Sequence, residues 1–188
     1  ADVGFPDLST VPLVETRRTG WEVDTDVVIA DLEFNGEPLA IGPRNALQRA
    51  VDAWRALGYE PMLGFEMEFY VLQADPDAPG GFGPLHIPSH RVYGVGTGGD
   101  TTGLMFDLFD AAEVAELDLE GIMGEFHPGQ MELNMKYGQA MDAADRAFIC
   151  KDMTRELAAH KGYCITYMGR PNAAMVGSGD REKRMNPW

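Results

Sequence analysis

The chain has 188 residues, enough for one substantial domain or two small ones, and 45% of them are hydrophobic, which argues against global disorder. Its 30 acidic and 15 basic residues leave a formal net charge of −15. That balance argues against a nucleic-acid or anionic-membrane partner, because phosphate binding needs clustered Lys and Arg. An acidic surface kept for solubility accounts for it equally simply, and divalent-cation binding is permitted.

In chain order, the opening "ADVGFPDLST" reads as mid-domain sequence, which places the true N-terminus upstream. Residues 1–42 read as β-structure, with β-formers in "TDVVIADLEF" and a turn at "NGEPL". A helix is predicted from Pro43, with Leu47, Val51 and Trp54 at helical spacing and Gly58 as its stop. "PMLGFEMEFYVLQ" follows as a strand, and the Gly- and Pro-rich residues 74–100 as a long loop with a few short extended pieces. "TTGLMFDLFDAAEVAELDLEG" is predicted as a helix ending near Gly121, and "GEFHPGQMELNMKYG" as strand–turn–strand. A helix from Asp142 to Gly162, with Ile149, Met153 and Leu157 as its buried stripe, leads into a last strand at "YCITYMGRP". The pattern is α+β, antiparallel strands backed by helices. Cys150 and Cys164 form no zinc or C-x-x-C pattern, which fits a reducing, cytoplasmic setting. No signal peptide and no membrane-length apolar run is visible.

Alternation sorts the acids. In "GFEMEFY", Glu66 and Glu68 share one face of a strand and Phe65, Met67 and Phe69 the other. In "GQMELNM", Gln130, Glu132 and Asn134 oppose Met131, Leu133 and Met135. Glu125 lies across the Pro128-Gly129 turn. Carboxylates on neighbouring strands repel unless paired or bound to hard divalent cations, although either strand alone also fits an ordinary water-facing sheet surface.

These segments carry a resemblance. "GFEMEF" resembles the G-x-E-x-E-F strand of the glutamine synthetase superfamily, and "EFHPGQMEL" its E-x-x-P-G-Q-x-E segment. "FPDLST", "GPRNALQRA", "AADRAFICKDMTRELAAHKGYCITYMGRP" and "VGSG" resemble further landmarks in the family's order, from about residue 2 to residue 179. The resemblance implies a glutamine synthetase-like catalytic domain over residues 43–188, an open, barrel-like antiparallel sheet with helices. Residues 1–42 would then be the remnant of an N-terminal β-grasp-like domain. It implies an ATP-dependent ligase that joins the γ-carboxylate of glutamate to ammonia or a small amine through γ-glutamyl phosphate, with two Mg²⁺ or Mn²⁺ ions. Glu68, Glu125 and Glu132 match ligands of the metal nearest the substrate, and Glu66 matches a ligand of the second metal. Glu120 matches an acid at the nucleotide, Tyr93 the ammonium-site tyrosine, and Gly177 a backbone contact to glutamate. Asp2 matches the aspartate that deprotonates ammonium, with a spacing to Pro6 one residue short. Family members assemble as rings, commonly dodecamers, so a homo-oligomer is expected.

The sequence also departs from the family. After "GSG", "DREKRMNPW" stands where M-H-x-H is usual, and a fragment or a discontinuity after Gly179 is expected. Val176 replaces the usual Asn and Arg170 the usual Lys. A non-catalytic relative that serves structure or regulation is the alternative. "GVGTGG" lacks the G-K-[ST] ending of a phosphate loop and reads as an ordinary flexible loop. His127 reads as a turn-shaping residue or a ligand, while Trp21, Trp54 and the methionines read as core.

Overall fold

The computed structural model describes residues 13–94, 96–171, 173 and 175–184. The first elements are an antiparallel pair, β1 (Leu13–Arg18) with β2 (Asp26–Ala30), and a small ribbon of β3 (Glu33–Phe34) with β4 (Glu37–Pro38). These agree with the β-rich reading of this region; the part covering residues 1–12 lies outside the described residues.

Helix α1 (Pro43–Ala56) begins with Pro43, whose fixed φ and missing N–H suit a first helical turn, and Gly58 follows its end at φ +86°. Val51 is buried, but Trp54 is 53% exposed. The expectation of Trp54 in the core is therefore corrected: the helix buries one narrow stripe, and Trp54 packs edge-on against Tyr59 outside it.

The long central strand β5 (Met62–Ala74) organises the main sheet. It pairs antiparallel with β6 (Phe82–Pro84), β8 (Gln130–Met135), β9 (Gly138–Gln139), β10 (Cys164–Thr166) and β11 (Asp180–Arg184) along different stretches. β7 (Leu119–Gly124) pairs with the far side of β8, so the path runs β10–β5–β8–β7 and does not close. The inner face of this sheet carries Met67, Phe69, Val71, Met131 and Leu133, all buried against α2 (Leu104–Val114) and α3 (Ala140–His160). Full burial of each such side chain contributes about 1.5–3 kcal/mol. In α3, Ile149, Met153 and Leu157 form the expected stripe, and Gly162 ends the run at φ +79°.

The helix expected to reach Gly121 stops at Val114. Glu116 and Asp118 take φ of 53° and 51°, which no right-handed helix allows. The chain turns there because Arg146, itself buried, holds Asp118 at 2.9 Å while the Asp118 carbonyl accepts the Lys136 N–H. Leu119–Gly124 then pairs with β8, and that ladder overrides the local helix propensity of "AELDLE".

Arg44 ties the N-terminal β-segment to α3. Its guanidinium bonds Asp145 through Nε and Nη2 at 3.0 Å each, and Asp31 through Nη1 at 2.6 Å. Asp145 is buried, so deleting its partner strands a carboxylate away from water. We expect Arg44→Ala to lower the unfolding free energy by about 2 kcal/mol in urea melts. Adding Asp145→Asn in the same chain should recover part of that loss.

Candidate active site

The outer face of the sheet carries the acids. Glu68 stands directly opposite Glu132 across the β5–β8 ladder, and Glu66 opposite Asn134. Met123 of β7 faces Glu132 from the other side, and Glu125 follows two residues later, just past the strand's end. Glu66, Glu68, Glu125 and Glu132 line one cavity of about 260 Å³ together with Tyr93, Phe126, Gln130, Val176 and Gly177. The convergence expected from period-two alternation is present, and the acids come from separate β segments.

A tight turn sets Glu125. Its N–H donates to the Gln130 carbonyl at 2.8 Å, and the Gln130 N–H donates to the His127 carbonyl at 2.9 Å. Gly129 occupies φ +77°, and a Cβ there would sit 2.7 Å from the Leu85 nitrogen, so only glycine fits. His127 shapes the turn, as one of its two readings anticipated: Nδ1 lies 2.9 Å from the Pro128 carbonyl oxygen, and the ring packs edge-on against Tyr70.

Gln130 is the hub that the sequence reading did not single out as functional. It is 1% exposed, and its Nε2 lies within hydrogen-bond distance of Glu68 Oε2 (3.0 Å), the Gly177 carbonyl (3.1 Å) and Ser178 Oγ (3.2 Å). The available signal was its place two residues before Glu132 on the same strand face. The Gly177 segment is held further by Tyr70, whose hydroxyl donates to the Val176 carbonyl at 2.9 Å. Arg170 donates to the Met175 and Ala173 carbonyls and so braces this loop.

Tyr93 enters from the Gly-rich loop at φ 56°, an unusual backbone for a bulky residue. Its N–H donates to the Gly124 carbonyl at 2.8 Å, and the Gly124 N–H donates to the Gly94 carbonyl at 3.0 Å. Gly99 lies so close that a Cβ on it would overlap the Gly94 carbonyl oxygen. The glycines of this segment therefore serve backbone contact with β7, which seats Tyr93 beside the acids.

One expected site residue lies outside the cavity, and one is not among the described residues. Glu120 is exposed, at the irregularity where Leu119 and Gly121 shift register, and does not line the cavity. Asp2 lies outside the described residues.

Electrostatically the cavity is crowded. Glu125, 5% exposed, has its carboxyl pushed up to about 7, first by burial, then by a hydrogen bond with Glu132, then by the charges of Glu132 and Glu68. The cavity carboxylates form an oxygen-only donor set of the kind hard divalent cations prefer. The approach is pairwise: among the described residues, the group bringing three acid or imidazole ligand atoms within 4.8 Å of one another is Glu22, Glu156 and His160 on the surface. The cavity acids fit a divalent ion in chemistry, and closing them around one ion takes side-chain rotation.

A cavity lined by four carboxylates on an open antiparallel sheet suits a positively charged ligand in charge, and comparison with known proteins gives the family. The chain belongs to the glutamine synthetase family: residues 40–180 match "Glutamine synthetase, catalytic domain". It is 33% identical over 184 residues to the glutamate–isopropylamine ligase of a Pseudomonas species, covering 94% of this chain and 40% of that protein. It is 29% identical to type-1 glutamine synthetase 2 of Dictyostelium discoideum over 193 residues, covering 97% of this chain and 36% of that protein. A solved structure described as a GmaS/ADP complex shares the fold with a TM-score of 0.78 at 22% identity, covering 89% of this chain and 38% of that one. The chain thus spans about 40% of the length of the relatives it matches.

The Glu125 shift sets a pH dependence of stability. The carboxyl rises from an ordinary 4.5 to about 7 on folding, so between those values the folded chain binds more protons than the unfolded one. Stability then falls as pH rises from about 4.5 to about 7 and levels off above. We expect Glu125→Gln to remove this slope in chemical melts run with chelator present. For the Gly-rich loop, we expect Gly99→Ala to cost about 2 kcal/mol and to speed amide exchange at Tyr93 and Gly124, because backbone must move to admit the new methyl group.

Proposed function

We propose that the protein carrying this chain is an ATP-dependent ligase that joins the γ-carboxylate of glutamate to a small amine or ammonia. The observation that supports it most directly is the register of Glu68 against Glu132, with Glu125, Tyr93 and Gly177 around the same cavity, in a chain of this family. The 33% identity to a glutamate–isopropylamine ligase supports an amine as acceptor.

The chemistry follows from the poor leaving ability of a free carboxylate oxygen. A glutamate γ-carboxylate oxygen attacks the γ-phosphorus of ATP; an O–P bond forms, ADP leaves, and the product is γ-glutamyl phosphate. The amine nitrogen then attacks the carbonyl carbon of the γ-glutamyl phosphate, a C–N bond forms, the nitrogen gives up a proton, and the C–O bond to phosphate breaks with the electron pair leaving on phosphate. An ammonium must first give up a proton, and cavity carboxylates both attract the cation and accept that proton. In this reading Glu68, Glu125 and Glu132 hold the divalent ion nearest the substrate, and Glu66 helps to hold a second. Mg²⁺ or Mn²⁺ bound there would neutralise charge developing on the transferred phosphoryl group. Tyr93 faces the amine, the Gly177 backbone faces glutamate, Glu120 belongs to the nucleotide side, and Asp2 is the proton acceptor brought by the N-terminal segment. The open β7 edge of the sheet suits assembly into a ring of subunits.

The alternative is a non-catalytic assembly relative. Phosphate release from ATP by the full-length protein, with glutamate and a panel of amines, separates the two. The ligase reading expects stimulation by at least one amine and a loss of about 100-fold or more in Glu132→Gln. No stimulation by any amine or by ammonia overturns it.

A further inference from the structure

Phe126 is an odd residue to find where it stands. It follows the most buried acid of the cavity, its N–H donates to Glu125 Oε2 at 3.2 Å, and yet its side chain is 59% exposed and lines the cavity. Tyr93, equally exposed, meets it edge-on with ring centroids 5.8 Å apart. Val176, 44% exposed, lines the same cavity. A carboxylate cluster is thus edged by apolar side chains that stay partly exposed among the described residues.

We infer that Phe126, with Tyr93 and Val176, forms an apolar wall that selects a primary amine bearing a compact apolar substituent. The inference rests on the ligase reading above and names the substrate class of that site.

Ammonium has no apolar surface, and carboxylates with water satisfy it completely. Exposed Phe and Val side chains add nothing to its binding. An alkylammonium is built differently, with a charged head that seeks the carboxylates and a hydrocarbon tail that leaves water when it meets an apolar wall. The aromatic faces add attraction for the head, since a cation within about 6 Å of a ring centroid is drawn to it. A second ammonium or a hydroxyl on the tail would instead be placed against Phe126 and Val176, which offer no side-chain hydrogen-bond partner. Size sets the other limit, because a cavity of about 260 Å³ also bounded by Tyr93 and four acids favours a short, branched tail over a long one.

Positioning is also accounted for. Phe126 is fixed by the turn that fixes Glu125, and Tyr93 is fixed by its bond to Gly124, the residue before Glu125. Head recognition and tail recognition are therefore tied to one three-residue segment, Gly124-Glu125-Phe126.

The test uses the full-length protein with isopropylamine, ethanolamine, butane-1,4-diamine and ammonia as acceptors. The wild type should show its highest kcat/KM with isopropylamine. In Phe126→Ala the ratio of kcat/KM for isopropylamine to that for ammonia should fall about tenfold or more, the scale of a lost apolar contact in a specificity pocket. Phe126→Leu should recover much of it. Saturation-transfer NMR on the isopropyl methyl protons supplies a readout that needs no turnover: wild type should transfer saturation and Phe126→Ala should not. If no acceptor supports phosphate release, the ligase reading fails, and the methyl signal alone decides the wall. Preference for the diamine or ethanolamine, an unchanged ratio in Phe126→Ala, or no methyl saturation in the wild type overturns the inference.

Discussion

The feature on which the rest depends is a repulsion. Glu68 and Glu132 face each other across a strand pair, and like charges directly opposite destabilise a sheet. The pairing persists because the reverse face of the same two strands buries Met67, Phe69, Met131 and Leu133 completely. A slip of one residue would expose that set and drive the acids into the core. The apolar face thus holds the acidic face in register, and the repulsion is retained as a property of the site. Gln130, whose Nε2 donates to Glu68, is one means by which the chain tolerates it.

The acids would be of little use if the turn beside them moved freely. Two close backbone approaches prevent that. Gly129 lets the turn lie against Val71 and Leu85, with the Val71 N–H donating to the Gly129 carbonyl. Gly99 and Gly94 let the loop before α2 lie against Gly124. Together they clamp Glu125 from both ends, and the clamp brings Tyr93 along at a backbone angle that only such support sustains. A segment whose composition suggests mobility is thereby turned into a positioning device.

What was legible in the sequence follows the range of the forces involved. Alternation in "GFEMEFY" and "GQMELNM" put Glu66, Glu68 and Glu132 on the face they occupy, because period-two geometry is local and the two faces differ sharply in polarity. Helix α3 was legible for the same reason at period 3.6, as was the stop at Gly162. The end of α2 was not, since it depends on Arg146 reaching Asp118, 28 positions away. Trp54 was misread because helical spacing shows which residues share a face but not how much of that face is covered. Gln130 looked like one polar residue among several; its role appears only when β5 and the Gly177 segment meet on it from distant parts of the chain. The Gly-rich loop was read as flexible because composition carries no information about what a backbone packs against.

Folding and ligand binding draw on the same pair of carboxyls, and this links them. A proton lowers the repulsion between Glu125 and Glu132, and any cation that occupies the space between them does the same. Whatever binds the folded arrangement and not the unfolded chain stabilises the β5–β8–β7 ladder by mass action. On the proposed ligase reading, protons, divalent ions and the ammonium head of an amine would be competitors for the same electrostatic space, and they differ in what else they touch. A proton touches only the carboxyl oxygens, and a hard metal ion demands several oxygens around it. An alkylammonium alone among them has a hydrocarbon surface to set against Phe126 and Val176. On the proposed reading the acids would supply the attraction common to all three, so discrimination would have to come from the apolar residues at the cavity's edge, uncharged side chains that would set the specificity of a site whose affinity is ionic.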